Sequence, residues 1–181
     1  ATGLAGTEGV AYDDQDRLYV VSDDGLLRLD EDGTTTTAAP TPGGVGATWW
    51  RDAIWVAAWK DDEGNDAGAL LEITPDGTVT RHDVDADIPK PNFLLPTAWG
   101  TLLVSDDLGS GIHEVDASMG VTPWQTDIPS PNGMGFSPDG TTLYVVSTFV
   151  ADPPLPAVTL DGEDAGEVTT VHTFESGSAP D

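Results

Sequence analysis

Thr142-Leu143-Tyr144-Val145-Val146-Ser147 decides the architecture, because three earlier runs follow the same pattern: Arg17-Leu18-Tyr19-Val20-Val21-Ser22, Ala53-Ile54-Trp55-Val56-Ala57 and Thr101-Leu102-Leu103-Val104-Ser105. Their second residues fall at 18, 54, 102 and 143, too regular for chance and too uneven for a solenoid. A turn rich in Asp and Gly, or containing Trp, precedes each run: Asp13-Asp14-Gln15-Asp16, Trp50-Arg51-Asp52, Trp99-Gly100 and Ser137-Pro138-Asp139-Gly140. A third apolar segment follows the first three runs, as in Leu26-Leu27-Arg28-Leu29, Ala69-Leu70-Leu71-Glu72-Ile73 and Ile112-His113-Glu114-Val115. A Thr/Val-rich segment closes each unit, the last one at Val168–Phe174.

These residues are β-branched and aromatic, and no apolar period of 3.6 runs long enough for a helix. Four strands in units of roughly 40 residues are the mark of a β-propeller blade. The expectation is therefore an all-β chain of four-stranded antiparallel blades, over residues 8–40, 43–88, 92–128 and 132–176, with Asp181 opening another. Propellers close with four to eight blades, so the expectation includes a partial propeller: about four blades of six in a fragment of a longer protein. A β-sandwich of short strands does not require one four-strand phrase repeated in order.

Composition narrows the function. The chain has 181 residues, 32 acidic and 6 basic side chains, a net charge of −26 and no cysteine. That excludes disulfide frameworks, Cys-ligated metal centres and a nucleic-acid surface built on basic residues. The longest apolar run, Ala53 to Trp59, is far short of the roughly 20 residues of a membrane span. The acidity fits either the cytoplasm of a halophile, where salt screens self-repulsion, or a secreted or periplasmic setting rich in divalent cations. The chain opens on Ala1 with no visible signal peptide, as expected of a processed chain or an excerpt, and it is read as a monomer.

Aligning the units just before their first strand gives Thr7-Glu8-Gly9-Val10, Pro42-Gly43-Gly44-Val45, Pro91-Asn92-Phe93-Leu94 and Pro131-Asn132-Gly133-Met134, with Pro180-Asp181 at the end. The shared position reads Glu8, Gly43, Asn92, Asn132, Asp181. First strands of propeller blades line a common channel, so these residues form a ring of oxygen donors with a glycine gap. Such hard, partly anionic donors suit Ca²⁺, which takes six to eight oxygens. A single Pro-Asn is usually an ordinary turn; donors at equivalent sites on separate blades are not so readily explained. The segment Asp61, Glu63, Asn65 and Glu72 has EF-hand-like spacing, but Asp66 occupies the glycine position and strands flank it. His82, His113 and His172 fall on outer strands and form no triad or metal centre. The tryptophans Trp49, Trp50, Trp55 and Trp59 are read chiefly as packing between blades.

The stretch Pro131-Asn132-Gly133-Met134-Gly135-Phe136-Ser137-Pro138-Asp139-Gly140 closely resembles a phrase of the gluconolactonase/senescence-marker-protein (regucalcin) family, and Thr7-Glu8-Gly9-Val10 resembles its N-terminal Glu-Gly motif. The resemblance implies a six-bladed propeller with one catalytic divalent metal in the channel. It implies Glu8, Asn132 and Asp181 as metal ligands, Asp181 also as the catalytic base, and Lys90 and Asn92 at the substrate-binding Arg-x-Asn position. Ca²⁺ is the expected ion, with Mn²⁺, Zn²⁺ and Mg²⁺ open. The implied activity is hydrolysis of a lactone or similar cyclic ester, often sugar-derived. Lys90 in place of Arg loses the planar bidentate fork, and Phe93 stands where the family usually has Asp. Two other readings stay open: a non-catalytic NHL-like or lectin-like propeller binding protein or glycan, and a metal-free strictosidine-synthase-like propeller.

Overall fold

The computed structural model describes residues 4–180, and all its regular structure is β. The first blade contains β1 (Val10–Tyr12), β2 (Leu18–Ser22), β3 (Gly25–Leu29) and β4 (Thr35–Ala39). The second contains β5 (Gly44–Trp50), β6 (Ala53–Lys60), β7 (Asp66–Ile73) and β8 (Val79–Asp83). The third is β9 (Pro91–Pro96), β10 (Leu102–Asp106), β11 (Gly111–Val115) and β12 (Val121–Gln125). The fourth is β13 (Pro131–Phe136), β14 (Thr142–Ser147), β15 (Pro154–Thr159) and β16 (Val168–Thr173). Each blade is a four-stranded antiparallel meander with its strands paired in chain order. The inner strands β1, β5, β9 and β13 stand side by side in that order, which sets the blades around a common axis.

Alternation along the strands explains why blades stack face to face. Successive residues of a strand point to opposite faces of the sheet. In β6, Ile54, Val56 and Ala58 join Tyr19, Val21 and Leu26 in the core between the first two blades. Their neighbours Trp55 and Ala57 face the other way, onto Leu94, Leu102 and Val104 of the third blade. In β10 the parity repeats: Leu103 turns to the fourth blade and meets Met134, Leu143 and Val145. A second strand buried on both faces reads as an unbroken apolar run, as in β2, β6 and β10; β14 keeps the run although Tyr144 on it is exposed. Trp50 and Trp55 are buried in the core between blades two and three, and Trp49 packs against the core between blades one and two.

Aspartates build the turns. Asp32, Asp76, Asp116 and Asp139 each accept, through Oδ1, the backbone N–H two residues on, at 2.7–3.1 Å. A short carboxylate reaches back to its own turn, where the longer Glu does not, and this accounts for part of the excess of Asp. Side-chain hydrogen bonds from nearby Ser or Thr, with backbone N–H bonds adding to them, hold these four carboxyls below the usual range.

Candidate functional site

The inner strands share one irregularity where they begin. Gly44 pairs with Ala58 but Ala47 with Val56, Pro91 with Asp106 but Leu94 with Val104, and Pro131 with Ser147 but Met134 with Val145. Each inner strand thus carries one extra residue against its neighbour, a β-bulge. In the first blade the same device brackets Val21: Glu8 N–H donates to the Val21 carbonyl at 3.2 Å, and Val21 N–H donates to the Gly9 carbonyl at 2.8 Å. Counting by register, the first bulge residue is Glu8, Val45, Asn92 and Asn132 in successive blades.

This corrects one expectation. The second blade contributes Val45 to the ring, not Gly43. Pro91 and Pro131 lie within their strands, whereas Pro42 and Gly43 belong to the turn before β5, with Gly43 at φ +62°. Matching blades on their prolines therefore misplaces the second one by two residues.

The second bulge residue lets the strands approach. A β-carbon on Gly46 would lie 1.9 Å from the Asn92 carbonyl oxygen, and one on Gly9 would lie 2.5 Å from Ala47 N and the Val45 carbonyl. Glycine there brings Glu8, Val45 and Asn92 close around the axis.

Glu8, Val45, Asn92 and Asn132 line one axial cavity of about 360 Å³. Its polar end is formed by Glu8, Asn92 and Asn132; further along, Val10, Ala47, Leu94, Leu95 and Pro96 make an apolar wall. Asn92 and Asn132 are 8% and 6% exposed, and neither amide side chain makes a hydrogen bond with any described residue. Their donors and acceptors are therefore available to whatever occupies the cavity. Among the described residues no three His, Cys, Asp or Glu side chains come together as a metal site; the donor set here is one carboxylate and two amides. Asp181 lies outside the described residues.

Asn92 is held by its flanks. Phe93 N–H donates to Ser105 Oγ at 2.9 Å, Lys90 N–H to Asp106 Oδ1 at 3.2 Å, and Asp107 N–H to the Lys90 carbonyl at 3.0 Å. The Trp59 indole N–H reaches the Pro91 carbonyl at 2.7 Å. Burial pushes the Asp106 carboxyl up, only partly offset by backbone N–H bonds and nearby His113. Lys90 itself does not line the cavity. Its ammonium sits 3.3 Å from Asp66 Oδ1 and 5.3 Å from the centre of the Trp59 ring, on the rim between blades two and three. The EF-hand-like spacing is also dissolved: Asp61 caps its own turn through Glu63 and Asn65, while Glu72 pairs with His82.

No family model matches the chain, and no curated protein sequence matches it. Solved structures do. A gluconolactonase from Xanthomonas campestris superposes with a TM-score of 0.76 at 18% identity, over 92% of this chain and 62% of its own. A putative gluconolactonase superposes at 0.66 with 19% identity, over 92% and 64%. A putative oxidoreductase (glucose dehydrogenase) from Thermus thermophilus superposes at 0.71 with 11% identity, over 98% and 73%. These likenesses establish the propeller fold. The chain spans 62% of the length of the Xanthomonas enzyme.

Proposed function

We propose that the axial cavity binds a divalent cation, calcium by the chemistry of its donors, and that the protein built on it hydrolyses a lactone or a similar cyclic ester. The observation that carries this reading is that Asn92 and Asn132, largely buried residues whose amides have no protein hydrogen-bond partner, line the same cavity as the Glu8 carboxylate. Hard oxygen donors of this kind fit a hard cation, with water completing the coordination. The fold shared with gluconolactonases supports the choice of substrate class.

In this reading Glu8, Asn132 and Asp181 hold the ion, and Asn92 faces the substrate. A cation bound there supplies Lewis acidity to an ester carbonyl. Asp181 would take a proton from water as its oxygen bonds to the carbonyl carbon; the ring C–O bond then breaks, and the proton passes to the departing ring oxygen to give a hydroxy acid. The apolar wall of Val10, Leu94 and Leu95 excludes water from one side of the substrate. Lys90, engaged with Asp66 and Trp59, is assigned to the rim rather than to the developing charge.

Calorimetric titration with Ca²⁺, Mn²⁺, Zn²⁺ and Mg²⁺ tests the metal, and pH-stat hydrolysis of glucono-1,5-lactone tests the chemistry. The expected result is saturable binding, weakened about tenfold or more by Asn132→Ala, with turnover abolished by a chelator. Turnover indifferent to the chelator, or no binding of any of the four ions, would overturn the reading.

A further inference from the structure

At the other end of the molecule from the Glu8–Asn92–Asn132 cavity, the first and second blades part to leave a cleft of about 200 Å³. Its position follows from the strands: the β1–β2 and β7–β8 turns edge it, and Trp49 comes from the far end of β5. We propose that this cleft binds a small organic carboxylate with a flat apolar body.

The chain has only six Lys and Arg residues against 32 acids, and two of them, Arg17 and Arg28, line this one cleft. Arg17 is fixed from behind. The Asp13 side chain is 1% exposed and takes the Arg17 Nε–H through Oδ2, while Oδ1 accepts the backbone N–H of Gln15 and of Arg17, both at 2.9 Å. Burial alone would raise the Asp13 carboxyl, but these bonds and the Arg17 charge outweigh it and hold it below the usual range. Asp13 is thus a saturated carboxylate, and both Arg17 Nη groups remain without a described protein partner. Arg28 gives Nε and Nη2 to Asp30, at 3.1 and 3.4 Å, and keeps Nη1. Asp76, the remaining charge on the cleft, is exposed on its rim and spends Oδ1 on Thr74 and Thr78.

The floor is of the opposite character: Tyr19, Ile54 and Ile73 are buried, with Trp49 beside them. Planar guanidinium edges match the two oxygens of a carboxylate. An apolar, aromatic floor suits a flat hydrocarbon and offers nothing to a fully hydrated inorganic anion. A cavity of about 150 Å³ accommodates benzene, so 200 Å³ admits one ring with its carboxylate. None of this depends on what the axial cavity does.

The test is an NMR titration of the ¹⁵N-labelled chain with sodium benzoate, benzyl alcohol and sodium phosphate. The expected result is saturation by benzoate in the millimolar range, with shifts at the Trp49 indole and the Arg17 and Arg28 amides. Benzyl alcohol and phosphate should bind at least about tenfold more weakly. Arg28→Gln, whose partner Asp30 is on the surface, should weaken benzoate about tenfold and leave the fold intact, whereas Asn132→Ala should leave benzoate binding unchanged. Benzyl alcohol or phosphate binding as well as benzoate, shifts elsewhere, no saturation, or benzoate binding that survives Arg28→Gln would each overturn the proposal.

Discussion

Gly46→Ala is the sharpest test of how the blades are held around the axis. The new methyl would sit 1.9 Å from the Asn92 carbonyl oxygen, 3.0 Å from its carbon and 3.4 Å from Phe93 Cα, where real contacts begin near 3.0 Å. The obstacle is main chain of β9, so no rotamer relieves it. The second and third blades must open by roughly 1 Å, and that gap runs into the core of Trp50, Leu70, Leu94 and Val104. A gap of 0.5–1 Å forfeits about a quarter to a half of each dispersion contact. Overpacking of this kind typically costs about 1–3 kcal/mol, and a backbone obstacle places this case at about 3 kcal/mol or above. Gly135→Ala is the matched control, in β13, with nothing within 4 Å of the added carbon and no positive φ; its effect should stay within about 0.5 kcal/mol. Urea unfolding followed by tryptophan fluorescence measures both. If Gly46→Ala unfolds within about 0.5 kcal/mol of Gly135→Ala, the close approach of the inner strands is not what holds this ring together.

Burial holds His113 below its ordinary value, although Asp106 and Asp87 pull the other way. A depressed histidine favours the folded state while neutral, so this contribution is complete above about pH 6.5 and is lost as the pH falls. Asp106, raised by burial, has the opposite sign and favours the folded state once protonated. Urea midpoints at pH 7.5 and 5.5 should therefore fall more for the wild type than for His113→Gln; equal falls would refute the assignment. Trp59→Phe removes the hydrogen bond to the Pro91 carbonyl while keeping a ring beneath Lys90. It should cost about 1 kcal/mol in urea unfolding and, by loosening the segment before Asn92, weaken any cation bound in the axial cavity. A Trp59→Phe chain with unchanged stability would show that this bond contributes nothing net.

The blades were legible because their second strands are apolar runs that follow Asp-rich turns: Leu18–Ser22 is buried nearly throughout, and Thr142–Ser147 keeps the run although Tyr144 is exposed. Asn92 and Asn132 were legible because proline fixes the start of both their strands. Val45 was not, since the ring position depends on the bulge, and a bulge is a property of hydrogen-bond register that residue identities do not display. The Arg17–Arg28 cleft was missed because its parts lie on two blades. The one signal for it was scarcity, two arginines close together in a chain with six basic residues.

The turn aspartates alter what the net charge of −26 means. Asp32, Asp76, Asp116 and Asp139 are there as backbone acceptors, a duty that asparagine Oδ1 performs as well. Exchanging all four for asparagine would bring the formal charge to −22 with every turn still closed. Part of the chain's acidity is therefore masonry, and a tally of carboxylates overstates how far the medium around the molecule has shaped its surface.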